Sequence, residues 1–513
     1  MQKLDKPAFY ISFGIFILLC ISNYVFLTED RISVFGFGYE YGTIAAAIAE
    51  GRGYSDVFGE GSGSTAWNLP LIVYINALFF KVFGVKSIYS IWALSIFKNL
   101  LIASANYVLI RIMYRIFESD YAYLVSIVFV YFIGQYLKFF TYDADDQPFF
   151  ILIIALTILG IIDFIRLRSK KSIYLLCILS FVLPITIPTI GLALALILAY
   201  LFFQDIYKLK FSFTGERFLR LGYAKYVVLF AFIFSLPLSA WIYRNYTVFD
   251  KIIPSKSNMW YEFYMANVLD DDGVVSGVTF LGNHPFQKNA VQERYYQIGE
   301  KAFLEECEEK SKQFLEAYPD EYKKRVLNRI KNIFLFTNRP IEKEPIADEI
   351  KPYSRQLERV KLVYIEDSDL VNWISLNLDE QSFKQKLEKA GLDLSNDEAK
   401  TILLDWDKKK TVLLSKKYSF NQVVEGLSIS IIPLLALITL IFLQKRKRVN
   451  LLLVVSFVMY IIHVLPYVFI SHYLRYQRAL LVMQSIFIFV LVYYMIEKTL
   501  STRKNKTKQL ITN

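Results

Sequence analysis

Residues 34–84 read VFGFGYEYGTIAAAIAEGRGYSDVFGEGSGSTAWNLPLIVYINALFFKVFG, and the reading of 69–85 within them decides the fold. That segment is apolar enough to cross a membrane. An apolar run over 9–27 precedes the stretch, and apolar blocks follow over 88–116, 120–139, 147–167, 172–188, 189–204, 224–244, 425–443, 448–470 and 476–497. A hydrocarbon core takes about 20 helical residues, so these blocks amount to about ten candidate spans. Basic residues sit in alternate loops: Arg111 and Arg115; Arg166, Arg168, Lys170 and Lys171; Lys208, Lys210, Arg217, Arg220 and Lys225; residues 445–448; and the tail after Lys498. Positive-inside placement puts these loops and both termini in the cytoplasm, and puts 28–86 and 245–420 outside. If 69–85 crossed, every later basic cluster would lie outside. It is therefore read as a helix lying at, or dipping into, the outer interface. The run at 9–27 is longer than a signal-peptide core and has no small-x-small site after it, so it is read as an uncleaved first span.

Composition agrees. With 55% hydrophobic and 20% charged residues and a mean hydropathy of +0.36, the chain is neither disordered nor an ordinary soluble enzyme. The net charge of +11 is unevenly placed: residues 250–420 hold 27 Lys and Arg against 30 Asp and Glu, leaving a net +14 elsewhere, mostly in short loops. That pattern sets topology and does not read as a nucleic-acid surface. Cys20 and Cys177 lie in apolar blocks and Cys307 stands alone, so no disulfide framework or CxxC metal spacing is expected. Walker, dinucleotide-binding and HExxH signatures are absent, and histidines only at 284, 463 and 472 give Ser/His/Asp catalysis no support. The expected fold class is an all-α polytopic membrane protein of about ten transmembrane helices with a mainly helical extracytoplasmic soluble domain. Its parts are a transmembrane module over 1–244 with the outer loop 28–86, the soluble domain over 245–420, C-terminal transmembrane helices over 421–500 and a basic cytoplasmic tail over 501–513. Within the soluble domain, helical patterning runs from about Gln287, pauses at Tyr318-Pro319 and resumes through Phe336.

In the quoted stretch, residues 39–50 read as a short amphipathic helix closed by Gly51-Arg52-Gly53, followed by a glycine-rich loop to Ser64. Glu40 opens that helix at the mouth of the first span. A carboxylate at a bilayer surface suits a general base; one in a first helical turn also simply favours the helix N-terminus.

The ordered set of short motifs resembles glycosyltransferase superfamily C, in its branch that uses polyprenyl-phosphate sugars, which includes the protein O-mannosyltransferases and the lipid A aminoarabinose transferases. The residues carrying the resemblance are Gly38, Glu40, Tyr41, Ile44, Ala45, Gly51, Gly53 and Tyr54, then Thr65-Ala66-Trp67, Pro70 and Leu71, ending in Phe83-Gly84. Trp241, Arg244 and Asn245 with Pro254, Asn258 and Asn267 continue it, as do His284-Pro285, Gly299-Glu300, Tyr318-Pro319 and Arg475-Tyr476-x-Arg478. The chain departs from the family at Asn68-Leu69-Pro70, where two prolines are common, at the single Glu40, where some members have an Asp-Glu pair, and at Ala479, which replaces a proline. Residues 345–420 have no counterpart.

The resemblance implies transfer of a sugar from a polyprenyl-phosphate donor to an acceptor hydroxyl outside a bacterial plasma membrane, with Glu40 as base and inversion of configuration. The acceptor class, lipid, glycan or protein, stays open, and no nucleic acid is expected. Family members often carry a further acid in the next outer loop, which here offers Asp143, Asp145 and Asp146, with Asp143 and Asp146 the paired candidates. Charges keeping a loop outside, or a helix N-cap before Pro148, explain them equally. No particular cofactor is implied; three carboxylates leave a divalent cation open, although D-A-D-D lacks cage spacing. For the donor phosphate the candidates are Arg475 and Arg478, three apart on one helical face, with Arg244 and Lys138; interfacial snorkelling is the alternative for each. Trp67, Tyr54, Asn258 and His472 are the candidate substrate contacts, set against the ordinary gathering of aromatics at membrane interfaces. Lys98 and Asn99 lie inside a span, where a charge needs a partner or water. Two other classes stay open: a polysaccharide polymerase or ligase, and a transporter or flippase of lipid-linked sugars.

Overall fold

The computed structural model describes residues 2–26, 39–135, 146–208, 223–269, 273–275, 283–287, 290–335, 434–435, 437–438, 446–472 and 478–512. Among them the regular structure is helical, and only two isolated β-bridges occur, Ser55 with Ser64 and Val274 with His472. The principal helices are α1 (Gln2–Phe26), α2 (Tyr39–Ala49), α3 (Pro70–Phe83), α4 (Ile88–Phe117), α5 (Val125–Gln135), α6 (Gln147–Leu167), α7 (Lys170–Val182), α8 (Pro188–Lys208), α9 (Ala224–Phe249), α10 (Met259–Tyr264), α11 (Ala290–Ala317), α12 (Pro319–Ile330), α13 (Lys447–Phe469) and α14 (Leu481–Thr512).

Seven helices among the described residues are long and apolar enough to cross a membrane: α1, α4, α6, α8, α9, α13 and the segment Arg478–Leu500 that contains most of α14. These apolar helices make the chain a membrane-embedded protein, all-helical among the described residues. The difference from the ten expected spans is accounted for block by block. The block at 120–139 opens with a 3-10 turn, Asp120–Leu124, and is described only as far as Gln135. The block at 172–188 is cut after 13 residues of α7 by the turn at Pro184, because proline cannot supply the helical N–H. The block at 425–443 lies almost wholly outside the described residues.

α4 and α6 form the centre of the bundle. α4 packs on α1, α3, α5, α6 and α13, and α6 also meets α7, α13 and α14. Ile151, Ile154, Ala155 and Ile158 of α6 are fully enclosed, whereas Phe13, Leu18 and Tyr24 of α1 and Phe232 and Leu236 of α9 face outward, as lipid contact requires. At one end, Arg115 pairs with Asp163, Arg166 Nη1 donates to the Arg115 carbonyl at 2.7 Å, Arg448 pairs with Glu118 and Arg446 with Glu497. This basic end brings together loops that the charge pattern had assigned to one side.

The opposite end carries the polar body. α3 spans only 14 residues; Val73, Ala77 and Phe80 are buried against the body, Ile72 is buried in the core of the bundle, and Tyr74, Leu78 and Val82 are exposed. At 1.5 Å per residue that is about 21 Å, too short to cross, and its two-faced pattern suits an interfacial helix. A second buried cluster joins Ile44, Val57, Phe58, Trp67 and Phe80 of the first loop to Trp241, Tyr261, Tyr295, Phe303 and Phe314. The first loop and the soluble part after residue 244 therefore share one core.

Candidate active site

Helix α2 starts at Tyr39 and stops at Ala49, where Gly51 (φ +86°) and Gly53 (φ +80°) turn the chain left-handed. Its first turn presents Glu40. The carboxylate meets the imidazole of His284, with Glu40 Oε1 and His284 Nε2 3.1 Å apart and side-chain exposures of 13% and 3%. Phe286 N–H donates to His284 Nδ1 at 3.2 Å. The ring is walled edge-on by Phe58, Trp67 and Tyr261, with centroids at 5.5, 6.4 and 5.8 Å. Tyr261 Oη also donates to the carbonyl of Asn283 at 3.0 Å.

The neighbouring side chain extends the cluster. Tyr41 Oη donates to Asp146 Oδ2 at 2.9 Å, and Gln147 Nε2 donates to Asp146 Oδ1 at 2.9 Å. Asp146 occupies the N-cap position of α6, but its side chain does not cap the helix; it is buried against Tyr41. Lys256 Nζ lies 5.8 Å from the centroid of the Tyr41 ring. Successive residues of one short helix thus engage different partners, Glu40 with His284 and Tyr41 with Asp146, with Lys256 beside the Tyr41 ring.

Glu300 closes the wall behind the site. It is buried, and accepts from Ala66 N (2.8 Å), Ser257 Oγ (2.7 Å) and Tyr295 Oη (2.8 Å). Burial pushes its carboxyl above the usual range, and these donors pull it only part of the way back. The Thr65-Ala66-Trp67 step is therefore held by a carboxylate from α11, 234 residues further along the chain. Tyr54, Tyr261 and Tyr295, buried in the same wall, have their hydroxyl pKa values raised by desolvation.

Several expected substrate contacts prove to be packing residues. Trp67 is 1% exposed and packed against Phe58 and Tyr261, and buried Tyr54 donates to the Asn68 carbonyl at 2.7 Å; neither offers a sugar platform. Arg244 donates through Nη1 to the Thr65 carbonyl (2.6 Å) and through Nη2 to the Tyr54 carbonyl (2.9 Å), and lies over the rings of Tyr54 and Trp241. It clamps the first loop to α9 rather than facing a ligand. Its neighbours do the same: Trp241 Nε1 donates to the Ser255 carbonyl and Asn245 Nδ2 to the Ile253 carbonyl. Asn245 is fully buried. Asn258 is buried at the start of α10, and its carbonyl accepts from Glu262 N.

His472 is buried and bridges to Val274 through its backbone, with Val275 N–H donating to its carbonyl at 3.2 Å. Arg478 is buried immediately before α14. Asp143, Asp145, Lys138 and Arg475 lie outside the described residues. Within the bundle, Lys98 and Asn99 are buried, Asn99 Nδ2 approaching Cys20 Sγ at 3.7 Å, and His463 Nδ1 meets the Thr189 hydroxyl at 2.8 Å. Among the described residues no group of three or more His, Cys, Asp or Glu side chains is placed to hold a metal ion.

Sequence reasoning noted His284 and Glu300 only as parts of the His-Pro and Gly-Glu landmarks, and it gave Lys256 no role. Those pairs were the available signals for the first two; no local pattern marks Lys256. No protein-family model, curated protein or solved structure matches the chain.

Proposed function

We propose that the chain is an integral-membrane glycosyltransferase that moves a sugar from a polyprenyl-phosphate donor to an acceptor hydroxyl, at the end of the bundle opposite its basic cluster and outside the cell. The observation that carries this reading is that two successive residues of α2 each engage a polar partner at the boundary between apolar bundle and polar body, Glu40 the buried His284 and Tyr41 the carboxylate of Asp146. Glu40 takes the acceptor O–H proton as the oxygen attacks the anomeric carbon. The bond from that carbon to the phosphate oxygen breaks, its electron pair leaves with the polyprenyl phosphate, and the configuration inverts. Asp146 orients the acceptor side of the site. With Arg244 committed to carbonyls, Lys256, Arg475 and Arg478 are the cations assigned to the phosphate.

The test is consumption of a panel of polyprenyl-phosphate hexoses and pentoses by membranes holding wild type or Glu40→Gln. Wild type should consume one donor, and the variant should lose at least about 1,000-fold in rate while still inserting and folding. Equal rates would move the base to Asp143, Asp145 or Asp146.

A transporter of lipid-linked sugars is the second reading. It is favoured by Lys98, buried within a span, and by the break between α7 and α8 at Pro184 and Pro188. Labelled donor that crosses vesicles unhydrolysed would decide for it.

A further inference from the structure

His284 stands at the start of a tight turn, and its sequence neighbour explains its protonation. Pro285 opens the 3-10 turn Pro285–Gln287 and has no N–H, so Phe286 supplies an N–H that lacks a partner within the turn. His284 Nδ1 accepts that proton donor at 3.2 Å. A ring nitrogen that accepts carries no hydrogen, so the network assigns the imidazole proton to Nε2, the nitrogen 3.1 Å from Glu40 Oε1. Orientation is fixed as firmly as the tautomer. Phe58, Trp67 and Tyr261 wall the ring, and Tyr261 holds the carbonyl of Asn283, the preceding residue.

We infer that His284 is the positioning residue for Glu40: a fixed N–H donor that holds the carboxylate in one rotamer and favours its ionised form. This rests on the reading of Glu40 as the base. A donor to a carboxylate oxygen stabilises the anion over the acid. The buried aromatic wall thus acts on the reaction indirectly, by keeping one imidazole nitrogen aimed at one carboxylate oxygen. Among the described residues, the titratable or charged groups on the neighbouring elements include Tyr261 across the ring, Tyr41 with Asp146, and Lys256 beside Tyr41.

The experiment compares His284→Phe, which keeps a flat ring without a donor, with His284→Gln, whose amide restores an N–H at similar reach. Glu40 is read without substrate, as the carboxyl infrared difference between each protein and its Glu40→Gln counterpart, followed against pH. Its midpoint should rise by about one to two pH units in His284→Phe and return toward wild type in His284→Gln. With the donor that wild type consumes, kcat should fall roughly 10- to 100-fold in His284→Phe with KM within about twofold, and recover in His284→Gln. An unmoved midpoint in a folded His284→Phe protein, or equal shifts in both variants, overturns the inference. A moved midpoint in a protein that transfers no sugar overturns only the proposed reaction. If His284→Phe does not fold, His284→Met supplies the variant without a donor.

Discussion

At the scale of single residues, the body uses charge where an apolar side chain would be easier to bury. Glu300 shows why. Donors from Thr65, Ala66, Ser257 and Tyr295 converge on its carboxylate, and no apolar residue could satisfy them. Burial raises its pKa, so the folded chain retains a proton at pH values where the unfolded chain has lost it. Its contribution to stability is therefore fully present at low pH and is lost as pH rises through the raised folded-state value. Glu300→Gln should flatten that slope with little change in Tm at neutral pH, because an amide can still accept from Ala66 and Ser257. Glu300→Ala should lower stability by about 2–4 kcal/mol, since it strands buried donors. Thermal unfolding in detergent across the weakly acid range measures both. Arg329 is the basic counterpart: fully buried, it donates to the carbonyls of Val468 and Gly273 and to Asn267 Oδ1, tying α12 to the C-terminal end of α13. Desolvation lowers its pKa to about 10, which leaves it charged at neutral pH.

At the scale of elements, helix stops and starts were legible because they rest on local chemistry. The glycines at 51 and 53 end α2, Pro70 opens α3, and Pro319 separates α11 from α12. The sharp bend inside α11 was not. Gly299 adopts φ +75° and ψ 168°, a region in effect reserved for glycine, and the bend delivers Glu300 to Ala66. Nothing fills the space a Cβ would take there, so Gly299→Ala acts through the backbone alone. It should cost about 1–3 kcal/mol and weaken the hold on the Thr65-Ala66-Trp67 step, read as faster amide exchange at Ala66. Trp67, Tyr54 and Arg244 show the other limit of local reading. An interfacial aromatic or arginine has the same sequence appearance whether it faces a ligand or a core, and only the tertiary fold separates the two. The short family-like motifs around 65–67 and 241–245 are, in this chain, two halves of one clamp. Glu40 could be picked out because it opens a helix beside a span; its partner, 244 residues away in sequence, could not.

At the scale of the whole molecule, charge segregation is the property the sequence displays most openly, since alternate basic loops need no tertiary knowledge to recognise. The fold gathers them at one end, with the Glu40–His284 pair at the other. If the basic end is cytoplasmic, a membrane-impermeant maleimide added to intact cells should label Glu309→Cys on α11, and should label Lys447→Cys only after lysis. Cys307 is buried and Cys20 and Cys177 lie within apolar helices, so the wild-type chain serves as the background. The reverse labelling would invert the topology and place the site on the cytoplasmic side.

The contact between Ala66 and Glu300 also sets a timetable for biosynthesis. The two residues are 234 positions apart, and at 5–20 residues per second the ribosome needs roughly 10–50 s to make the second after the first. Through that interval Trp67 and Phe58 have neither Tyr295 nor Tyr261 to cover them, while several later helices are still being inserted. The glycine-rich loop must wait, sticky and unfinished, beside the insertion machinery. A nascent chain stalled before residue 300 should be a client for chaperones on the side where that loop emerges, and one stalled after α12 should not.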